Sequence, residues 1–153
     1  MRTEKRAASM HRFGWLAVLL AAMVLLGGCD EVRSTHAQNA EPLANKLLTA
    51  IEHQDWNTAL ACYGHAFYRN IDKASWRANL LHIYHVLGPL KSYTLVSKAA
   101  DTRFSGDFYI FQYHTVYAHG DAHEIITIRE PSDKDTFHVI GHHITSPKLA
   151  AGG

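Results

Sequence analysis

The spacing of apolar residues along the chain changes once, near Gly88. Before this point apolar side chains recur every three or four residues, which is the period of a helix with one buried face. This pattern predicts a first helix that begins near Glu41, with Pro42 in its first turn. Two more helices are predicted after Asp55 and Asp72, because a carboxylate at these positions can cap the free N–H groups of a first helical turn.

The second half of the chain has the period of β-strands. Gly88-Pro89 ends the third helix, since proline cannot continue the hydrogen-bond ladder, and apolar and polar residues then alternate. The predicted strands cover about 91–99, 107–118, 122–130 and 136–145. Their short connections require antiparallel neighbours. The predicted fold class is therefore α+β, with N-terminal helices packed on a four-stranded, curved antiparallel sheet.

Alternation assigns each strand residue to one face of the sheet. The predicted core face carries mostly large apolar side chains together with one carboxylate: Tyr109, Phe111, Tyr113, Tyr117, Glu124, Ile126, Ile128, Phe137 and Val139. The opposite face mixes apolar and polar residues: Phe108, Ile110, Gln112, His114, Val116, His123, Ile125, Thr127, His138, Ile140 and His142. Such a face either packs against a second copy in a homodimer or faces water.

The N-terminus has the layout of an export signal. A basic segment precedes the apolar run Leu16 to Leu26, and Gly27, Gly28 and Cys29 follow. A membrane-spanning helix needs roughly 20 apolar residues, so an uncleaved anchor is the less favoured alternative. Leu-Gly-Gly-Cys resembles a bacterial lipobox, which implies cleavage after Gly28 and a lipid on Cys29. Residues 1–28 are thus predicted to be a lipoprotein signal peptide.

The remaining residues divide into a tether, a domain and a tail. Residues 29–40 are predicted to be the lipidated cysteine and a flexible tether, 41–146 the α+β domain, and 147–153 a tail. The expected location is the periplasmic side of the bacterial cell envelope. Asp30 resembles an inner-membrane retention signal of enteric bacteria. No cofactor is expected beyond the covalent lipid.

Charge and cysteine content narrow the classes of partner. After Cys29 the chain has 11 basic and 13 acidic side chains, a formal charge of −2, so no nucleic-acid partner is expected. Once Cys29 carries a lipid, Cys62 is the remaining thiol, and no intramolecular disulfide can form. Its apolar helical context favours a small buried side chain rather than a nucleophile. The expected partners are the membrane, through the anchor, and a small apolar ligand or a protein.

Two groups of residues carry candidate chemistry. Glu124 is predicted to point into the core, where a carboxyl with a raised pKa can act as a general base, or bond a tyrosine hydroxyl instead. Three imidazoles on neighbouring strands, those of His114, His123 and His142, are the candidate ligands of a metal site for Zn²⁺ or Cu²⁺. The sequence has no Gly-rich phosphate loop, GxSxG or HExxH motif.

Several segments resemble one family of small exported bacterial proteins, the domain-of-unknown-function 4019 family. Gly106 to Tyr117 resembles its "G-x-Y-x-x-x-x-Y-x-T-x-F" strand, EIITI its "E-T-V-T" strand and FHVIGHHI its "W-R-V-x-G-Y-x-I" ending. Trp76 followed by Leu87-Gly88-Pro89-Leu90 is similar to its helix and "L-G" turn. The resemblance implies a cystatin-like, nuclear-transport-factor-2-like (NTF2-like) cone and no known reaction.

Three functional hypotheses follow. The first is a lipid-anchored binding or envelope accessory domain without evident catalysis. The second is an NTF2-like small-molecule isomerase or dehydratase, which needs an open pocket with an inward carboxylate or histidine. The third is a periplasmic metal binder. The first two differ in whether the space between helices and sheet is open or filled by Tyr109, Phe111 and Tyr113.

Overall fold

The computed structural model describes residues 28–103, 105–131 and 136–151, and for 28–38 only the backbone. The chain divides into two compact units, Met1–Thr35 and His36–Gly153, and the fold is that of the second. Its elements are α1 (Gly28–Glu52), α2 (Trp56–Ala61), α3 (His65–Tyr68), α4 (Lys73–Leu87), β1 (Leu90–Arg103), β2 (Gly106–Tyr117), β3 (Gly120–Glu130), β4 (His138–Thr145) and α5 (Pro147–Ala151). Within these described residues, no helix is both long and apolar enough to cross a membrane.

Helix α1 begins earlier than the sequence predicts. It starts at Gly28, so residues 30–40 are helical rather than a flexible tether, and Pro42 lies inside the helix instead of in its first turn. Neither glycine nor proline occurs between Cys29 and Pro42, so nothing in this stretch interrupts the ladder. Proline lacks one N–H donor, but Ala40 and Ala44 on either side are fully buried, and their packing holds the helix through this position.

The predicted caps of the next helices are confirmed. The Asp55 side chain accepts a hydrogen bond from Thr58 N, and that of Asp72 accepts from Ala74 N and Ser75 N. The second predicted helix is divided into α2 and α3 because Gly64 is extended. This break lets residues 62–64 form a short parallel bridge to Val139.

The sheet has the predicted topology. Four antiparallel strands lie in the order β1-β2-β3-β4, and the helices pack on one face of this curved sheet. The α+β fold class is confirmed. In β2 and β3 the alternation holds throughout: the side chains of Tyr109, Phe111, Tyr113, Ile126 and Ile128 are all buried.

Strand β4 contains a bulge that reverses its alternation. Ile128 pairs with Val139 and Thr127 with Gly141, so Ile140 is an extra residue. Beyond it, side chains that the sequence assigns to the outer face point into the core. His142 is the important case: its side chain is fully buried, and its predicted place on the outer face is wrong.

The described C-terminal segment, up to Ala151, includes a helix. Pro147–Ala151 form the short helix α5, in place of the predicted tail. Ser146 is buried just before this helix, and its hydroxyl donates to the carbonyl of Asp121 at 2.8 Å. This contact fixes the start of α5 against the turn between β2 and β3.

Candidate functional site

A buried acid–histidine pair lies between the sheet and the helices. The Nε2 atom of His142 is 2.8 Å from Oε2 of Glu124, and neither side chain is exposed to solvent. Glu124 comes from β3, where the regular alternation points it inward, and His142 reaches the same side only because of the Ile140 bulge. The prediction that Glu124 faces the core is confirmed, and its histidine partner was missed.

Neighbouring hydroxyl groups complete the hydrogen bonds of the carboxylate. Tyr117 donates to Oε1 of Glu124 at 2.6 Å. Burial acts to raise the pKa of Glu124, but the hydrogen bond and charge of His142, with the hydrogen bond from Tyr117, hold this pKa below its ordinary value. Of the two predicted roles of Glu124, the bond to a tyrosine hydroxyl is therefore the one that the structure shows, and the pKa is lowered rather than raised because Glu124 is buried together with its donors.

The other side of the imidazole contacts an aromatic cluster. The hydroxyl of Tyr63 and Nδ1 of His142 share a hydrogen bond of 2.6 Å. Burial raises the pKa of Tyr63 well above its ordinary value, so this phenol stays protonated. The Trp76 ring lies edge-on to both, with centroids 5.7 Å from Tyr63 and 5.8 Å from His142. Both ring nitrogens of His142 are thus engaged by protein groups.

The space beneath the helices is filled by aromatic side chains. Tyr109, Phe111 and Tyr113 are almost completely buried. The hydroxyl of Tyr109 donates to Glu130, and that of Tyr113 donates to Asn45 of α1 at 3.1 Å. Among the described residues, these side chains occupy the interior in which an open conical pocket would lie.

The candidate metal ligands do not lie together. His114 and His123 face each other across β2 and β3 on the outer side of the sheet, with ring centroids 5.7 Å apart. Nε2 of His114 is 3.4 Å from Oδ2 of Asp121. His142 points to the opposite side of the sheet, toward Glu124. Within the described ranges, no group of three or more potential ligand side chains is arranged to hold a metal ion.

The remaining predicted residues lie apart from this cluster. Cys62 is buried, its thiol donates to the Thr58 carbonyl, and burial raises the pKa of that thiol, as expected for an unreactive cysteine. The predicted signal peptide lies outside the described residues except for Gly28, as does the side chain of Cys29.

A surface groove runs beside the outer edge of β4. It has a volume of about 310 Å³ and lies between β4, α4 and α5. Its lining residues are Trp76, Asn79, His82, Ile83, Leu149 and residues 142–144. This groove could not be predicted from the sequence, because its shape depends on the bulge in β4 and on α5.

One residue of the sequence indicates the bulge in β4. Gly141 lies inside an otherwise regular strand pattern, and an isolated glycine in a strand often marks a bulge. Its presence could have moved His142 to the core face. Nothing comparable in the sequence indicates Tyr63 or Trp76 as partners of that histidine, since both precede Gly88, in the helical half of the chain.

Comparison with known proteins identifies the fold. No protein-family model matches the chain, and no curated protein does. Membership of the domain-of-unknown-function 4019 family is therefore not confirmed. The chain resembles Bd1075 of Bdellovibrio bacteriovorus, with a TM-score of 0.52 and 15% identity over 72% of this chain and 41% of that one. The matched part is thus less than half of Bd1075.

A second solved structure matches over most of its length. It is an NTF2-like protein of unknown function from Pseudomonas putida KT2440, with a TM-score of 0.51 and 13% identity, covering 74% of this chain and 88% of that one. Similarity at this level of identity concerns the fold alone. The chain has an NTF2-like α+β fold, with helices packed on a curved four-stranded antiparallel sheet.

Proposed function

We propose that this chain is an exported, lipid-anchored binding domain of the bacterial envelope that acts without catalysis. The observation that carries the proposal is the burial of Glu124 and His142, with both carboxylate oxygens and both ring nitrogens bonded within the protein. A buried polar network that is fully satisfied fixes one packing of a core. Neither side chain reaches solvent, so we infer that the pair serves the fold rather than a reactant.

The competing proposal is an isomerase or dehydratase with Glu124 as general base. A general base must come within hydrogen-bond reach of the proton that it removes, and its pKa should lie near the working pH. Glu124 meets neither condition, because it is sealed from solvent and its pKa is held below its ordinary value. Catalysis through Glu124 is therefore the less supported of the two proposals.

An assay with a model substrate separates the two proposals. The full mature protein and its Glu124→Gln variant are incubated with a β,γ-unsaturated ketone, whose isomerisation needs one proton abstraction. We expect the rate of both to equal that of buffer. Turnover by the unchanged protein that the Glu124→Gln variant lacks would overturn the non-catalytic proposal.

The proposed anchor is the lipid on Cys29, exposed by cleavage after Gly28. Two or more acyl chains are needed for stable attachment, since a single chain binds membranes only marginally. Metabolic labelling with an alkyne-tagged fatty acid in a bacterial host tests it. We expect label on the unchanged chain and on the Cys62→Ser control but not on Cys29→Ser. Label retained by Cys29→Ser would exclude the anchor.

The proposal that the chain is anchored in the inner membrane rests on Asp30 alone. Fractionation of the host envelope should find the chain in the inner membrane, and Asp30→Ser should move it to the outer membrane. An unchanged distribution would rule out this residue as the sorting signal.

The outer face of the sheet is a candidate surface for a second copy of the chain. Ile125 is 37% exposed at its centre. Arg103 and Arg129 both approach the Phe108 ring at one end, whereas Asp121 lies at the other. A two-fold axis perpendicular to the strands would bring the arginine end of one copy onto the aspartate end of the other.

Sedimentation equilibrium of the mature protein tests this dimer. We expect a dimer that Ile125→Asp dissociates, because a carboxylate would be buried at the centre of the interface. Ala78→Asp, on the exposed side of α4, is the matched control and should leave the dimer intact. A monomer at all concentrations would exclude this partner.

A further inference from the structure

The outer edge of β4 is only partly covered. β4 is the last strand of the sheet, and a sheet edge presents unpaired N–H and C=O groups. At its start the edge is closed: Val139 N donates to the Cys62 carbonyl, and Gly64 N donates to the Val139 carbonyl. No such bridge continues along the strand in the described part of the chain. The open part of the edge therefore begins after the bulge.

The register shows which residues face this open edge. The backbone groups of Val139 point away from β3, and Val139 pairs with Ile128. His142 pairs with Ile126 and Ile144 pairs with Glu124, two and four positions before Ile128 in β3. Because backbone groups alternate in direction along a strand, those of Ile126 and Glu124 point away from β4, as those of Ile128 do. The N–H and C=O groups of His142 and Ile144 thus point to the free edge.

Solvent exposure supports this assignment. The side chain of His142 is fully buried, yet the residue as a whole is partly exposed, so the exposed atoms belong to its backbone. No backbone hydrogen bond from this edge to any other described element involves His142 or Ile144. Two residues of edge strand are therefore open to a partner.

The open edge forms one wall of the groove beside α4. The opposite wall consists of Trp76, Asn79, His82 and Ile83, and Leu149 of α5 closes one end. The indole Nε1 of Trp76 is buried without a hydrogen-bond partner of regular geometry. A groove between a free strand edge and a helix matches the geometry in which an extended peptide adds a strand to a sheet.

The residues that line the groove favour one chemical class of peptide. Two of the residues that line the groove, His82 and His143, are exposed histidines, and its described lining contains no carboxylate. The free backbone N–H groups of His142 and Ile144 add donors. An occupant that presents acceptors and negative charge complements this wall.

We propose that the His142–Ile144 edge and the facing side of α4 bind a short, extended, acidic peptide segment of a partner protein. This inference rests on the proposed binding function and names the partner class. The peptide would lie about 4.8 Å from β4, the usual distance between paired strands. It would be short, because the bridge at Val139 and helix α5 close the groove at its two ends.

Titration with synthetic peptides tests the proposal on the full mature protein. The probe is the blocked pentapeptide acetyl-Val-Asp-Val-Glu-Val-amide, compared with its Lys-for-acid counterpart and with a form N-methylated at alternate residues. Amide NMR shifts report the binding position. We expect shifts at His142, Ile144 and the Trp76 indole with the acidic peptide, and none with the other two.

Two histidine-to-glutamate variants on the same helix provide the matched comparison. His82→Glu should weaken acidic-peptide binding about tenfold, while His85→Glu, on the same helix but outside the groove lining, should leave it unchanged. Equal binding of the three peptides, shifts elsewhere on the surface, or no binding up to millimolar concentration would overturn this inference. Such a result would leave the non-catalytic proposal standing, since only turnover that depends on Glu124 overturns it.

Discussion

Glu124 and His142 are diagonal neighbours on two adjacent strands, 2.8 Å apart between Oε2 and Nε2, and both are fully buried. Glu124 lies opposite Ile144, whereas His142 lies opposite Ile126. The contact exists because the extra residue in β4 turns His142 to the core side. Because of this one bulge, His142 is not a metal ligand on the outer face, as the sequence predicts, but part of the buried hydrogen-bond network.

Stability should fall in acid because of this pair. The pKa of Glu124 in the folded protein is below its ordinary value, so its contribution is complete above the unfolded pKa of about 4.3. It is lost as the pH falls through the folded pKa. Urea unfolding between pH 7 and pH 3 measures this. In the Glu124→Gln variant the unfolding free energy should depend less on pH in acid. The control variant, Glu52→Gln, should keep the dependence of the unchanged protein. The same dependence on pH in all three proteins would contradict the account.

The two residues should be strongly coupled in stability. Removing one partner leaves a buried group without its counterpart, so Glu124→Leu or His142→Leu alone should cost about 3–5 kcal/mol of unfolding free energy. The double variant should cost less than the two losses combined, since neither partner is then left buried without the other, although the hydroxyls of Tyr63 and Tyr117 still lose their acceptors. A double-mutant cycle by urea unfolding checks this. Additive losses would show that the pair is not an interacting unit.

Gly64 should not tolerate a side chain. A Cβ at this position would lie 2.7 Å from Cβ of His138, where residues 62–64 bridge to β4. Gly64→Ala should therefore lower the unfolding free energy by about 1–3 kcal/mol, the usual cost of overpacking. His138→Gly in the same chain removes the opposing atom and should recover part of the loss. If Gly64→Ala is as stable as the unchanged protein, Gly64 and His138 are not packed as closely as the structure shows.

Zinc should not stabilise the protein. A ligand that binds only the folded state raises Tm, but His142 is bonded to Glu124 on the side of the sheet opposite His114 and His123. We expect an unchanged Tm when Zn²⁺ is added to the mature protein. A rise in Tm that His114→Ala abolishes would show instead that the outer histidines recruit other ligands.

The sequence predicted the elements better than the site. Asp55 and Asp72 could be identified as caps because the side chain of an N-cap residue bonds backbone N–H groups only two or three positions further along the chain. The inward direction of Glu124 followed from a strand without irregularities. His142 was misplaced because one inserted residue inverts every later position of a strand, and α1 was cut short because polar composition does not by itself prevent a helix.

The most direct test of the account is the exchange of the His142 ring proton with water. In ¹⁵N-labelled mature protein, NMR should detect the Nε2–H of His142 at neutral pH with slow solvent exchange, because Glu124 accepts it in a buried network. The ring protons of His114, which lies on the outer face, should exchange too fast to be seen. Fast exchange at His142 as well would mean that water reaches the pair, and would contradict a sealed, non-catalytic core.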